Sequence, residues 1–131
     1  MKVGLIISTY NWKEALNAVL ESVKLQTYLP DEIVVSDDGS TQDSGELVKN
    51  HQKDFPCILK HVWQEDNGFR VAASRNNGIN ELSGDVEYIV IIDGDMILHP
   101  KFIEDHIHFA ENNCFTQGSR VLISEEKTTQ I

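Results

Sequence analysis

The stretch YIVIIDGDM, residues 88–96, changes abruptly from apolar to acidic. It begins as an apolar run, typical of a strand that is buried on both faces of a sheet. It ends in two aspartates, Asp93 and Asp95, with a single glycine between them. Two carboxylates held this close repel each other unless protons or a cation compensate, and a hard divalent ion is the usual compensation. The alternative is a solvated turn, for which Asp-Gly-Asp is also suited.

Short β-rich runs alternate with helical patterns along the whole chain. The predicted strands are residues 3–7, 32–36, 57–63 and 88–92, with an edge strand at 119–124. The predicted helices are residues 12–23, 45–53, 71–82 and 100–107, and residues 125–131 are expected to form a frayed tail. Such alternation is typical of a mostly parallel, doubly wound α/β sheet with helices on both faces, a three-layer α/β/α arrangement. We expect one domain over residues 1–124.

The first predicted helix has the clearest helical spacing. Apolar residues recur three and four positions apart, which places them on one face of a helix. They are Trp12, Ala15, Leu16, Val19, Leu20 and Val23. Asn11 is expected to cap this helix, with Glu14 reaching back as in a capping box. Ser40 or Thr41 is expected to cap the second helix.

Composition restricts the class of protein. The chain has 131 residues, enough for one ordinary domain, and a formal net charge of −10. An acidic chain without a Lys/Arg-rich run repels the backbone of a nucleic acid, so no nucleic-acid polymer is expected as a partner. Cys57 and Cys114 lie in no metal-binding or disulfide motif, which favours a reducing, cytoplasmic compartment. The apolar N-terminal run is far shorter than the ~18 residues of a membrane span, although association with the inner face of a membrane through segments outside this chain stays open.

Polar clusters follow the four main strands. They are STYN (8–11), DDGS (37–40), QEDNGFR (64–70) and DGD (93–95). Because ligands bind at the carboxyl ends of parallel strands, these clusters should meet at one rim. Asp37 or Asp38 could accept hydrogen bonds from the edge of a base, and Tyr10 could stack on a planar ring or pack in the core. Arg70 and Arg75 are suited to phosphate or base oxygens, unless both are ordinary surface residues of a helix.

Histidine offers weak candidates for metal binding. His106 and His108 are two residues apart on a predicted helix, so their side chains point to different faces. His99, which lies close to Asp95 in the sequence, is the one histidine that we expect as a metal neighbour.

In this order, the segments LIISTYN, IVVSDDGST, NGFRVAASRNNGI and VIIDGDM resemble the successive signatures of family 2 glycosyltransferases, which are inverting enzymes with the GT-A fold. The resemblance runs from about residue 3 to residue 100. Within the family, the segments GFR, SRN and DGDM are most similar to those of bacterial members that extend polysaccharide or lipopolysaccharide chains. The resemblance implies a UDP-sugar donor, a hexosyl or N-acetylhexosaminyl group as the transferred unit, and Mn²⁺ or Mg²⁺ as cofactor. The implied acceptor is a saccharide, in the form of a polysaccharide, lipopolysaccharide or glycolipid.

The resemblance also implies a role for each matched position. Thr9 and Tyr10 would hold the nucleoside, and Asp38 would accept the uracil N–H. In the D-x-D motif, Asp93 would lie near the ribose or the water shell of the metal, and Asp95 would bind the metal directly. The implied nucleotide-binding residues are Thr9, Tyr10, Asn11, Asp38, Gly68, Arg70, Arg75, Asp93 and Gly94, and the implied metal ligands are Asp95 and Asp93.

The general base is the family element that we do not find. In the enzymes that this chain resembles, an Asp or Glu well downstream of the D-x-D motif deprotonates the acceptor hydroxyl. Glu104, Asp105, Glu125 and Glu126 are not persuasive substitutes, so no catalytic residue is assigned and the base is expected beyond Ile131. The chain would then be the donor-binding part of a longer enzyme, or alternatively a nucleotide-sugar-binding module that does not turn over alone.

A magnesium-binding receiver domain of signalling proteins is the alternative from a different class. Such domains are acidic α/β proteins that collect carboxylates at strand ends. Their acidic pair follows the first strand and a lysine follows the fifth, whereas here STYN follows the first and SRVLIS supplies no lysine. A nucleotidyltransferase would need a Gly-rich phosphate loop after the first strand, and none is present.

Overall fold

The structure is a computed structural model that describes the backbone of residues 1–130 and the side chains of residues 1–128. The strands are β1 (Val3–Thr9), β2 (Glu32–Asp37), β3 (Ile58–Trp63) and β4 (Tyr88–Asp93). The helices are α1 (Lys13–Lys24), α2 (Gln42–Gln52), α3 (Val71–Glu81), α4 (Phe102–Phe109) and α5 (Glu125–Gln130). None of these helices is long and apolar enough to cross a membrane.

The four strands form one sheet in the order β3-β2-β1-β4, and every pairing is parallel. Ile7 of β1 lies beside Val35 of β2 on one side and Ile92 of β4 on the other. All three side chains are in the main core, together with the apolar face of α1. Helix α3 packs on the opposite face, where Gly78 approaches Ile6 and Ser36. The predicted parallel α/β sheet with helices on both faces is therefore confirmed.

The start of α1 differs from the prediction. The helix begins at Lys13, and Trp12, which was predicted on its buried face, is 49% exposed. Asn11 does not cap the helix; its Oδ1 atom accepts a hydrogen bond from the Thr41 backbone N–H at 2.9 Å, and its φ angle is 45°. Thr41 occupies the N-cap of α2 as predicted, but its hydroxyl makes no capping bond and donates to the Asp43 carboxylate. The Asn11 side chain instead joins the loops that follow β1 and β2.

Strand β4 is not buried on both faces as predicted. Val90 and Ile92 are each 4% exposed, whereas Ile89 and Ile91 are 40% and 45% exposed. Among the described residues β4 is the last strand of the sheet, and α3 packs over the other three strands. One face of β4 therefore stays open. An apolar run records β propensity, but whether both faces are covered depends on neighbours elsewhere in the chain.

The C-terminal predictions also need correction. Residues 119–124 form no strand, and Val121 and Leu122 are about nine-tenths exposed. Residues 125–130, predicted as a frayed tail, form α5, and Ile131 lies outside the described residues. Pro100 precedes α4 by two residues instead of lying in its first turn. The apolar pattern of SRVLIS favours a strand, but a strand forms only where a neighbour offers its edge. The predicted domain boundary at residue 124 stays a prediction.

A buried carboxylate closes the amino end of the sheet, opposite the polar clusters. Glu32 is fully buried, and its Oε1 atom accepts hydrogen bonds from Lys60 Nζ at 3.1 Å and from the Ser83 N–H at 3.2 Å. Lys2 Nζ lies 3.4 Å from the other oxygen. Burial opposes ionisation, but the bonds from Ser83, Lys60 and Lys2 outweigh it and lower the pKa of Glu32 from 4.5 to about 2. This carboxylate therefore stabilises the fold above about pH 4.5, and that stability is lost as the pH falls towards 2.

Candidate functional site

A cavity of about 470 Å³ opens at the carboxyl ends of the strands. All four polar clusters contribute to its lining, as the parallel sheet predicts. The predicted site residues that line it are Thr9, Tyr10, Asp38, Gly68, Asp93, Gly94 and Asp95. Of the other three, Asn11 is directed to Thr41, whereas Arg70 and Arg75 contact residues of the lining. The structure therefore brings most of the predicted site together.

The structure distinguishes Asp37, the last residue of β2, from Asp38, which follows it. Asp38 lines the cavity, is 6% exposed, and accepts hydrogen bonds from Gln64 Nε2 at 2.6 Å and from the Arg70 N–H at 2.9 Å. Asp37 is directed away from the cavity and accepts bonds from the Ser40 N–H at 2.8 Å and His61 Nε2 at 2.9 Å. Burial opposes the ionisation of Asp37, but these two bonds lower its pKa overall. Asp37 holds the loop, and Asp38 presents its carboxylate to the cavity.

Tyr10 lies at the mouth of the cavity and not in the core. Its ring is half-exposed, and its hydroxyl donates a hydrogen bond to Asp66 Oδ2 at 2.8 Å. The bond to Asp66 raises the pKa of the Tyr10 phenol. Gly39 brings the two loops into contact: its φ angle is 102°, and a Cβ atom there would lie 2.5 Å from Asp66 Cα. The ring is therefore held at one end while its face stays open to a planar ligand.

The D-x-D motif forms the other end of the cavity. Arg75 Nη2 donates to Asp93 Oδ1 at 2.9 Å, and Arg75 Nε donates to Ser8 Oγ at 3.3 Å. Gly94 packs so closely on β1 that a Cβ atom there would lie 2.5 Å from the Ser8 carbonyl oxygen. Asp95 is exposed, and its carboxylate has no hydrogen-bond or ion-pair partner among the described residues. One carboxylate is thus paired with an arginine and the other is available.

The donor set of the D-x-D motif decides whether it fits a metal ion. No three His, Cys, Asp or Glu side chains within the described part of the chain come together in a group that could hold an ion. Magnesium-type sites, however, commonly use one or two carboxylates and complete the shell with water and substrate phosphates. Asp95 and Asp93 fit that arrangement. His99 does not join them, because its Nδ1 atom accepts a hydrogen bond from the Lys101 N–H at 3.2 Å and its side chain lies outside the cavity lining.

Several residues of the site were missed in the sequence. Trp12 and Phe69 line the cavity with rings that are 49% and 90% exposed. Ser36 and Ser74 also line it and are nearly fully buried, and the Ser36 hydroxyl has no hydrogen-bond partner within the part of the chain that the structure describes. Trp12 carried a signal, since it directly follows the polar STYN cluster, but it also completed a helical face. The serines carried none, because serine is common in strands, helices and loops alike.

Comparison with known proteins gives consistent matches. The family described as Glycosyl transferase family 2 matches residues 5–130. Glycosyltransferase GlyA of Streptococcus pneumoniae serotype 4 is 37% identical over 103 residues, which cover 79% of this chain and 14% of GlyA.

Two solved structures show the same fold. S. aureus TarS in complex with UDP-GlcNAc superposes with a TM-score of 0.71 at 26% identity, covering 83% of this chain and 31% of that one. The mannosyltransferase PcManGT from Pyrobaculum calidifontis, in complex with GDP-Man and Mn²⁺, superposes with a TM-score of 0.69 at 23% identity. The superposition covers 81% of this chain and 31% of PcManGT, and at this identity it supports the fold alone. The chain spans less than a third of GlyA and of each of these two structures.

Proposed function

This chain belongs to glycosyl transferase family 2 and has the GT-A fold, and we propose that its cavity binds the UDP-sugar donor of a glycosyl transfer reaction. The observation that carries the proposal is the arrangement of three features around one cavity: the open ring of Tyr10, the buried carboxylate of Asp38, and the aspartates of the D-x-D motif. A stacking ring and a hydrogen-bond acceptor suit a base, and the aspartates of the D-x-D motif suit a metal-bound diphosphate. Family membership also removes the receiver-domain alternative.

The base end of the proposed site suits uracil. The half-exposed ring of Tyr10 offers a stacking surface, with its hydroxyl already bonded to Asp66. Asp38 has accepted one hydrogen bond on each oxygen, and a carboxylate oxygen has room for a second. The uracil imide N–H is a donor of the right kind. The similarity to TarS, whose structure contains UDP-GlcNAc, supports the same class of donor.

The diphosphate end of the proposed site suits Mn²⁺ or Mg²⁺. Asp95 would hold such an ion, and the ion would stabilise the charge that grows on the leaving diphosphate. Arg75 neutralises Asp93, which leaves that carboxylate to orient the ribose or a water molecule of the shell. Arg70 has an exposed side chain beside the base end and is available to the base or the phosphates.

In this proposal, none of the carboxylates that line the cavity is the general base. The cavity carboxylates already have partners or roles: Asp38 is held by Gln64 and Arg70, Asp66 by Tyr10, and Asp93 by Arg75, while Asp95 is assigned to the metal. We propose that the base lies beyond Ile131. The transfer would be inverting, with a hexosyl or N-acetylhexosaminyl unit passing to a bacterial polysaccharide, lipopolysaccharide or glycolipid. The two free cysteines are consistent with the cytoplasm, including the inner face of its membrane.

Calorimetric titration tests the binding proposal. UDP should bind more tightly than GDP, and a chelator should weaken UDP binding. Asp95→Asn should weaken UDP binding in the presence of Mn²⁺ by ~10-fold or more, since a lost interaction with a charged group costs about 1.5–3 kcal/mol. The same variant should leave uridine binding nearly unchanged, because the base contacts do not use the ion.

Asp105→Asn is the matched control, because Asp105 is exposed on α4 and does not line the cavity. It should bind UDP as the unmodified chain does. Equal affinity for UDP and GDP, or binding that ignores the chelator, would contradict the proposal.

A further inference from the structure

Gln64 joins three separate parts of the chain just after β3. Its Nε2 atom donates to Asp38 Oδ1 at 2.6 Å and to the Arg70 carbonyl oxygen at 3.2 Å. Its Oε1 atom accepts from Asn77 Nδ2 at 3.0 Å. The loop after β2, the start of α3 and the middle of α3 therefore meet at one amide side chain.

The surroundings of Gln64 permit one orientation of its amide group. On the Nε2 side, both neighbours are acceptors, namely the Asp38 carboxylate and the Arg70 carbonyl. A flipped amide would place its oxygen against these two acceptors, with no hydrogen available to either. Asn77 donates from the other side and matches the Oε1 atom. The direction of the chain of hydrogen bonds from Asn77 through Gln64 to Asp38 is therefore fixed by chemistry.

Asp38 is consequently held on both of its oxygens. Gln64 occupies one acceptor position of Oδ1, and the Arg70 N–H occupies one of Oδ2. Asp38 is 6% exposed, so little water is available to replace either bond. The remaining acceptor positions are those available to a ligand in the cavity that Asp38 lines.

We propose that Gln64 is a positioning residue that, with Asn77 behind it, sets the direction in which Asp38 offers its free acceptor positions to an N–H donor on the base. This inference rests on the proposed function, because it concerns how that site selects a ligand. Gln64 does not line the cavity. It acts by holding the carboxylate that does.

Gln64→Glu separates this role from a merely structural one. The substitution keeps the size of the side chain and the oxygen that accepts from Asn77. It replaces the donor to Asp38 with a second carboxylate at a separation of 2.6 Å in the unmodified chain. Two carboxylates in one site repel, and one of them takes up a proton far more readily than usual. A protonated glutamic acid can again donate to Asp38, so acid should restore the interaction.

Other titratable and charged groups lie near position 64 and Asp38 and could also change UDP affinity with pH. From the neighbouring elements these are the Asp37–His61 pair, Arg70, and the Tyr10–Asp66 pair. The unmodified chain carries all of them, so the ratio of variant to unmodified affinity at each pH removes their contributions and those of the ligand. Gln52→Glu is the matched control: Gln52 also donates one amide hydrogen bond, to the Leu59 carbonyl oxygen at 2.8 Å, and does not line the cavity.

The experiment measures UDP affinity with Mn²⁺ between pH 5.5 and 8 for the unmodified chain, Gln64→Glu, Gln64→Ala and Gln52→Glu. At pH 8, Gln64→Glu and Gln64→Ala should bind ~10–100-fold more weakly, which is the size of one lost hydrogen bond to a charged group. At pH 5.5, Gln64→Glu should return to within ~3-fold of the unmodified chain, whereas Gln64→Ala should not recover. Gln52→Glu should bind normally throughout.

A second measurement does not need the ligand. Exchange of the Arg70 amide hydrogen, which is bonded to Asp38 Oδ2, should be faster in Gln64→Ala than in the unmodified chain. Unchanged affinity of Gln64→Glu at pH 8, or a loss that acid does not restore, overturns the inference. If the unmodified chain binds no UDP, the proposed function fails, and the exchange rate at Arg70 alone then decides whether Gln64 positions Asp38.

Discussion

Replacing Gly78 with alanine tests how closely α3 packs on the sheet. A Cβ atom at position 78 would lie 2.0 Å from Ser36 Oγ and 3.2 Å from Ile6 Cγ2. The first distance is impossible for two unbonded heavy atoms. Ser36 is fully buried in β2, so its hydroxyl cannot move into solvent. The added methyl group must displace either the serine side chain or the whole helix.

Two opposing terms set the expected magnitude. Alanine in place of glycine inside a helix is favourable by about 1 kcal/mol. An extra methyl group in a packed core costs about 1–3 kcal/mol, and the 2.0 Å approach places this site at the upper end of that range. We therefore expect the free energy of unfolding of Gly78→Ala to fall by about 1–2 kcal/mol.

Urea unfolding followed by circular dichroism measures the change. Gly45→Ala is the control, because Gly45 lies in α2 and its nearest neighbour would be His61 Cε1 at an ordinary 3.4 Å. That variant should gain up to about 1 kcal/mol. Adding Ser36→Ala to Gly78→Ala removes the obstructing hydroxyl and should restore most of the loss. If Gly78→Ala is as stabilising as Gly45→Ala, the close packing of α3 on β2 is refuted.

Two further predictions concern the whole chain. Glu32→Gln should lower the free energy of unfolding at pH 7, and the difference from the unmodified chain should shrink as the pH falls from about 4.5 towards 2, because the pKa of Glu32 is lowered to about 2. The lowering of the pKa of Glu32 from 4.5 to about 2 corresponds to about 3 kcal/mol. We discount this to about 1–2 kcal/mol because the side chains of Lys2 and Lys60 are 30% and 35% exposed. If urea unfolding gave the same difference in stability between the variant and the unmodified chain at pH 3 and pH 7, the prediction would be contradicted. The isolated chain should also bind UDP-sugars yet fail to elongate a glycan when incubated with Mn²⁺ and saccharide acceptors; efficient elongation would mean that a base is present, and Glu104, Asp105, Glu125 and Glu126 would be the residues to replace first.

The convergence of the four clusters could be predicted from sequence because it follows from topology. Once the strands are parallel, the residues after each strand meet at one edge, whatever their side chains do. The choice between Asp37 and Asp38 could not be predicted in the same way. The two are adjacent at the end of β2, and the choice depends on His61 of β3, which lies beside Asp37 only in the folded sheet. Adjacent aspartates carry no sequence signal that separates them.

Two wrong predictions have a related cause. Trp12 fits the helical spacing of α1, yet the helix begins one residue later and the ring lies at the cavity. The run at β4 is apolar throughout, yet Ile89 and Ile91 are exposed because α3 does not cover that side of the sheet. Local patterns report what a segment can form. They do not report which other segment will cover it.

Helix α3 connects the two ends of the candidate site. Arg75 reaches Asp93 at the diphosphate end, and Asn77, two residues later, reaches Asp38 through Gln64 at the base end. The next residue is Gly78, which allows the helix to pack directly on Ser36. Arg75, Asn77 and Gly78 lie within four residues of one helix. A displacement of the helix at Gly78 therefore moves the partners of Asp93 and Asp38 together. The close packing therefore contributes to the geometry of the site as well as to the stability of the fold.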